Sequence, residues 1–451
     1  MDLRKILAAG LITAFIGGCQ KGFLDVRPNE SLIVPSSLND FQQLLSNETR
    51  FNITPCIGEI GCDDYYTTGA NLLSAFNPVE RNGYFWAQDP YQGQGLSDWD
   101  IPYNQVFYAN VVLSGVASLH PDPPSMAQYD QVRGTALFDR AFAFYNLSIN
   151  FCAPFHPDSA ASEPGIPLRL SPDPNLKAGR GDLAQDYKQV IADLNAAIPL
   201  LPLNNPVKDF PCKGAAYGLL ARAYLDMQQY SQAGAYADSC LQLDPGLMDY
   251  NQLSLGSTYP FPKYNEEVLF ESELYNYGLF YSTLTRVDTT LYASYAPNDL
   301  RRKGFFVVRA GNLNFKGTYS GVHTRFGGIA TDEIYLIRAE CEARQGNTTS
   351  ALRDLNTLLE NRYATGTFLP DTASTPDQAL SLVLAERRKE LPFRGLRWND
   401  LRRLNQDPRF ATMLERIVNG QVYTLAPNDP RYTWPIPSDE IQASGIAQNP
   451  R

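Results

Sequence analysis

The spacing of small residues constrains this chain more than any other feature. From Tyr217 the sequence places Leu220, Ala221 and Tyr224, then Tyr230, Ala233, Ala237, Cys240 and Pro245. Tyr335, Ala339, Ala351, Leu355 and Leu358 repeat the arrangement, with Gly346-Asn347 between the halves. Ala221 and Ala233 stand twelve positions apart, as do Ala339 and Ala351. Large, Leu, small and Tyr, followed by Ala and Pro at these offsets, is the tetratricopeptide pattern. Two antiparallel helices approach closely only where the side chain is small, and Tyr217 and Tyr224 fill the flanking space. Part of a third copy stands at Val190, Leu194, Ala197 and Pro202. Helical periodicity also covers Gln105 to Leu119, Gln128 to Phe151 and Gln378 to Leu391. Each such helix hides one stripe and needs neighbours to bury it. The expected fold is therefore mainly α. Tetratricopeptide-like helix pairs form a frame over about 105–250 and 330–405.

Between these blocks the chain changes character. Residues 52–104 and 250–328 are rich in Gly, Asn, Asp, Pro and aromatics, with no sustained helical period. Long irregular segments inside a compact domain are usually functional or disordered, and these carry too many aromatics for disorder. They read as ordered loops with a few short strands, laid over the frame. The chain holds 26 Tyr and 23 Phe against 5 Met, and tyrosine offers both a flat apolar face and a hydroxyl. Sugar rings pack C–H faces on such aromatics and need amide or carboxylate partners for their hydroxyls. Tyr84-Phe85-Trp86 near Gln88 and Asp89 fits that mixture, as do Tyr91 with Gln92 and Gln94, and Tyr275-Asn276-Tyr277 with Phe280 and Tyr281. Tyr292, Tyr295 and Asn298 form another group, and Tyr319 with His323 and Arg325 another. Trp86 is the leading anchor, because it stands in a loop with no helical stripe to join. Trp99, with Tyr103 and Asn110, reads instead as packing at a helix entry. For most of these rings the competing reading is plain core filling.

The amino terminus points to the cell envelope. Arg4 and Lys5 precede a short apolar run from Ile6 to Ile16, then Gly17-Gly18-Cys19. The run is too short for a bilayer, which needs about 20 apolar residues, and fits a secretory signal. Small residues directly before a cysteine form a lipobox, so residues 1–18 read as a lipoprotein signal peptide and Cys19 as the lipidated residue. Acyl chains at one residue hold a protein on a membrane without crossing it. Six cysteines remain. Cys56 and Cys62 bracket a short Gly-containing loop that could close as a disulfide, whereas Cys152, Cys212, Cys240 and Cys341 lie in apolar or helical contexts. No repeated Cys-x-x-Cys pair suggests zinc. The net charge of −10 argues against nucleic acid and polyanions in general, since phosphate neutralisation needs clustered Lys and Arg.

Several segments together resemble the SusD/RagB family of nutrient-binding lipoproteins from Bacteroidetes. They are the lipobox with Phe23-Leu24-Asp25, and Arg140-Ala141 through Tyr145 to Leu147 followed by Gly165-Ile166-Pro167-Leu168. The most specific is the charged signature from Glu386-Arg387-Arg388 through Leu391-Pro392-Phe393-Arg394-Gly395 to Arg397-Trp398-Asn399-Asp400-Leu401-Arg402-Arg403. Trp434-Pro435-Ile436-Pro437 with Glu440-Ile441, and Gln448-Asn449-Pro450, are similar to the family's ending. Arg394 departs from the pattern, standing where the family usually has Glu. The resemblance implies a lipidated leader over 19–40 and a single SusD-like domain over 41–451. It further implies an outer-membrane lipoprotein facing the cell surface. Such a protein binds an oligosaccharide, or a peptide in RagB-like members, and passes it to a SusC-like TonB-dependent transporter. No cofactor or metal is implied. The charged signature reads as scaffold, with Glu386, Arg387, Glu390 and Arg394 spaced to pair on a helix face.

The enzyme reading is poor in parts. His120, His156 and His323 are isolated, and no metalloprotease, nucleophile-elbow or phosphate-loop motif is present. Asp63-Asp64 beside Tyr65-Tyr66 could suggest the paired carboxylates of glycoside hydrolysis, but adjacent acids in a loop are usually solvated. The rival from a different class is a helical-repeat scaffold that holds a protein partner and no small ligand.

Overall fold

The computed structural model describes residues 35–451. The signal peptide, Cys19 and most of the leader lie outside the described residues. The described residues hold seventeen α-helices and twelve strands of two to five residues. Ten helices have eight residues or more: α1 (Leu38–Leu45), α2 (Ser97–Val116), α3 (Met126–Phe151), α4 (Leu183–Ala197), α5 (Lys213–Asp226), α6 (Tyr230–Leu243), α7 (Thr331–Arg344), α8 (Thr348–Glu360), α9 (Pro376–Glu390) and α10 (Arg397–Leu404). The mainly α reading holds, and the repeat spacing predicted the right pairs. α5 and α6 fold back on each other across a short turn, as do α7 and α8. Gly346, at φ +87°, takes the left-handed turn after α7 that glycine adopts without strain.

Packing follows the small residues. Ala221, Ala233, Ala339 and Ala351 are fully buried. Tyr236 stacks between Tyr217 and Tyr224, with ring centroids 6.2 and 5.3 Å apart. At Gly234 an added Cβ would stand 3.3 Å from Cys341 Cβ, so the two repeats touch through α6 and α7. Arg140 ties three further helices together. From α3 it donates to Asp193 of α4 at 2.6 Å and to Asn110 of α2 at 2.8 Å.

The segment 52–104 is not the loop that its composition suggests. It carries helices Ile57–Gly61, Gly69–Ala75 and Pro78–Tyr84 before α2 begins. Helices of five to seven residues show too few turns to display a stripe, so they depend on caps. Thr68 caps the second, and Asn77 with Glu80 forms a capping box on the third. For the first, buried Asp98 accepts from the Ile57 amide at 2.8 Å. That helix also overturns the proposed disulfide. Six steps of helical rise separate Cys56 from Cys62 by about 9 Å, beyond the roughly 7 Å that a disulfide spans. Both thiols are free and buried. Segment 250–328 comes closer to expectation: short strands from it pair with distant ones, Tyr65–Tyr66 with Arg286–Val287 and Ile53–Thr54 with Glu273–Leu274.

The charged signature is scaffold: Lys389–Glu386 and Arg403–Asp400 pair along their own helices at 2.6 and 2.9 Å, and the other pairs form between elements. Arg301 meets Glu386 and Glu390 of α9 at 2.8 and 2.9 Å. Arg387 meets Asp400 of α10 at 2.9 Å, and Arg403 reaches Glu340 of α7 at 2.6 Å. Arg394, the departure from the family pattern, pairs with buried Asp332 at 3.0 Å. Asp63 and Asp64 are likewise drawn in, held by Arg397 at 2.7 Å and Arg388 at 3.1 Å.

Overpacking a close helix contact costs roughly 1–3 kcal/mol. Ala221→Leu and Ala339→Leu should each lower unfolding free energy by about that much in urea titrations. Parent-like midpoints for both would contradict the paired-helix account.

Candidate ligand-binding site

A hairpin shapes the cleft that holds Tyr281. Strand Phe306–Arg309 pairs in antiparallel register with Asn312–Phe315. The turn residues Ala310 and Gly311 both have positive φ, 49° and 77°, as a two-residue hairpin turn requires. The chain then returns against helix Arg301–Phe305, where the Lys316 amide donates to the Phe305 carbonyl at 2.7 Å. Only glycine fits next, since a Cβ at Gly317 would lie 2.4 Å from the Phe305 ring. Between this hairpin and the segment from Phe280 to Val287 lies a cleft of about 240 Å³.

Aromatic rings form its floor. Phe280, Phe315 and Phe393 are buried, and Phe315 stacks on Phe393 with centroids 4.6 Å apart. Phe393 comes from the charged signature and sits at φ +58°, a region that bulky residues seldom enter. The walls are more open. Tyr281 is half-buried and meets His323 edge-on at 5.3 Å, and Tyr259 is 40% exposed at the rim. Ser282, Thr283, Thr285 and Asn314 add hydrogen-bonding groups. Asn314 donates to the Thr285 carbonyl at 2.6 Å, while its own buried oxygen has no partner among the described residues.

The electrostatics are one-sided: Arg309, Lys316 and Arg325 line the cleft and no Asp or Glu does, among the described residues. Arg325 is only 7% exposed. It donates to the Phe280 carbonyl at 2.6 Å and lies over the Phe315 ring at 4.8 Å, but its Nε has no partner among the described residues. Burial lowers its pKa to about 10, so it stays charged at neutral pH. Lys316 donates to the carbonyls of Leu255 and Ser257 at 2.7 and 2.8 Å, and burial and then Arg309 lower its pKa. Glu59 acts on Arg325 through space. Burial first, then Asp64, raises the Glu59 pKa to about 8, so most of it is protonated at pH 7 and offsets little of the Arg325 charge.

The sequence candidates divide sharply. Trp86 is 1% exposed, and its indole N–H donates to the Gly61 carbonyl at 3.0 Å. Following helix Pro78–Tyr84, it takes the left-handed conformation that ends a helix, at φ +57°, and the ring turns inward. Arg416 covers it, with the guanidinium carbon 4.9 Å from the Trp86 centroid and 3.8 Å from that of Tyr84. Trp86 and Tyr84 are core, which corrects the leading expectation. Tyr91, Tyr277 and Tyr295 are core as well, their hydroxyls donating to Pro435, Asp98 and Lys389. Trp99 is buried, as its packing pattern suggested. Tyr275 and Tyr292 are half-buried but do not line this cleft, and Arg302 already covers the Tyr292 ring at 4.6 Å. Of the tyrosines singled out, Tyr281 alone lines it. Its group partner Phe280 joins it, as do His323 and Arg325, while Tyr319 lies beneath, donating to Glu267 at 2.7 Å. Sequence reasoning missed Tyr259, Arg309, Lys316 and Phe393. Gly311, between a Val-rich run and the alternating Asn312-Leu313-Asn314-Phe315, was the one readable hint of a hairpin.

Two family models match this sequence. One, described as starch-binding and associating with the outer membrane, matches residues 22–225, and that of the SusD family matches residues 331–451. No curated protein matches. A SusD superfamily protein from Bacteroides thetaiotaomicron is similar in structure at TM-score 0.75 and 21% identity, over 92% of this chain and 100% of its own. A SusD-like carbohydrate binding protein from Bacteroides vulgatus gives TM-score 0.68 at 20% identity, over 91% and 97%. A laminarin binding SusD-like protein gives 0.65 at 19%, over 93% and 100%. At such identities the likeness is one of fold.

Trp86→Ala should cost about 3–5 kcal/mol of stability, the range for emptying a buried aromatic site, read by denaturant unfolding. A variant as stable as the parent would return Trp86 to the surface.

Proposed function

The chain belongs to the SusD/RagB family, and we propose that it is a lipid-anchored outer-membrane protein that binds an oligosaccharide nutrient. The cleft beside Tyr281 carries this reading. Half-exposed aromatic faces at Tyr281 and Tyr259 stand over an aromatic floor, among hydroxyl and amide groups. A sugar ring needs both, a flat apolar surface for its C–H face and polar groups for its hydroxyls. Pockets of this mixed kind are where small ligands bind. Tyr281 is the stacking anchor.

Cys19 carries the lipid in this reading, and the bound glycan passes to a SusC-like TonB-dependent transporter. No helix among the described residues is long and apolar enough to cross a membrane, which agrees with anchoring through lipid. Binding rather than catalysis is the proposed activity. Asp63 and Asp64, the acids that could suggest hydrolysis, are engaged by Arg397 and Arg388 and do not line this cleft.

Tryptophan quenching is a weak assay here, because Trp86, Trp99, Trp398 and Trp434 are all buried. Calorimetric titration with a panel of oligosaccharides and peptides is the suitable test. At least one oligosaccharide should bind, and Tyr281→Ala should weaken it several-fold or more, as loss of a stacking anchor does, with the melting temperature unchanged. Binding of peptides alone would favour the RagB-like alternative, and binding of neither would favour the protein scaffold.

A further inference from the structure

The charge distribution of the cleft goes further than its shape. The chain as a whole carries a net charge of −10, yet this one recess has three cationic side chains and, among the described residues, no carboxylate. None of Arg309, Lys316 and Arg325 forms an ion pair with a described residue, whereas buried Arg301, Arg362 and Arg403 are each matched by two or more carboxylates. Buried Arg402 and Arg416 also bond backbone carbonyls alone, so what sets this cleft apart is three cations lining one recess. Within the cleft, Arg325 is a nearly buried guanidinium held by backbone carbonyls and ring faces alone. Buried charges are normally paired. Arg309 is half-buried at the mouth, and its guanidinium donates no hydrogen bond to a described residue.

Resting on the glycan-binding reading, we propose that this cleft selects acidic oligosaccharides, sugars bearing carboxylates of the uronic-acid class. The sugar ring lies against Tyr281 while its carboxylate takes Arg309 as direct partner and supplies the counter-charge that Arg325 and Lys316 lack. Planar guanidinium groups suit this role, since they bind carboxylates through two parallel hydrogen bonds. Neutral glucans would leave the three cations unmatched. The overall negative charge does not oppose this, because exposed charges beyond about 8–10 Å are largely screened at physiological salt.

The test uses the full chain and a matched pair of probes, an oligogalacturonate and its methyl ester, which share a backbone and differ in charge. Neutral glucan oligosaccharides and acidic peptides complete the panel. The acid should bind about tenfold or more tighter than its ester, the scale of one charge-assisted hydrogen bond, and lose affinity as salt rises. Arg309→Gln, at a side chain without internal bonds, should erase most of that preference, and this holds even where Arg325→Gln fails to fold. Arg325→Gln, where it folds, should reduce the preference several-fold. Equal affinity for acid and ester, or a preference for neutral glucans, would overturn this inference and leave glycan binding standing. Acidic peptides binding where acidic glycans do not would also overturn it. No glycan binding of any kind would bring down both readings.

Discussion

The frame depends on a buried ion network that joins the repeat helices to the loops above them. Arg301 and Arg362 are fully buried and share Glu390 of α9. Arg301 also meets Asp299 and Glu386, and Arg362 meets Glu267. Their partners hold both guanidinium groups charged well above the usual arginine range, against the opposing effect of burial. Burying such groups is costly, and a network of this kind often adds little net stability over an apolar core. Its effect is on geometry. Losing one partner strands the rest at about 3–5 kcal/mol, so the surrounding backbone accepts few alternatives. Arg301 opens the short helix that leads directly into the Phe306–Phe315 hairpin, and Arg362 fixes Glu267 beside strand Val268–Phe270. The wall of the cleft is thereby registered against α9.

Strain concentrates at the same junction. Phe393 adopts a left-handed backbone between Pro392 and Arg394, and its ring reaches the cleft floor while Arg394 turns to Asp332. A signature read from the sequence as frame alone therefore also supplies part of the site. Packing from both sides makes the strained conformation sustainable: Phe315 stacks on the Phe393 ring, and the next glycine, Gly395, donates its amide to Glu59 at 3.0 Å. Strained residues of this sort persist only where their surroundings over-determine them.

Much of the frame was legible because helices write their contacts locally. Ala221 and Ala339 are small because of a neighbour one turn of chain away, and the spacing records it. The charged signature was legible as structure but not in its pairings, since Arg394 meets Asp332, far away in sequence. The site was harder still. Whether a loop aromatic is core or surface depends on partners that no local period reveals, as with Trp86, covered by Arg416 from a hairpin near the other end of the chain. Short capped helices escaped notice for want of turns. Charge misled through averaging: a total of −10 says nothing of a recess where three cations meet. Tyr281, Phe280, His323 and Arg325 were within reach because they fall in one loop-rich segment, whereas Lys316 and Arg309 needed the hairpin first.

In the proposed reading the ligand sits at the hairpin cleft and the helical repeats support it. Amide hydrogen exchange of the full chain, with and without a saturating oligosaccharide, tests that division most directly. Protection gained on binding should concentrate in residues 278–285 and 306–325, with α5 to α8 outside that span unchanged. Protection confined to the paired helices at 213–243 and 331–360, with the cleft unaffected, would contradict it and make the repeat surface the site of recognition.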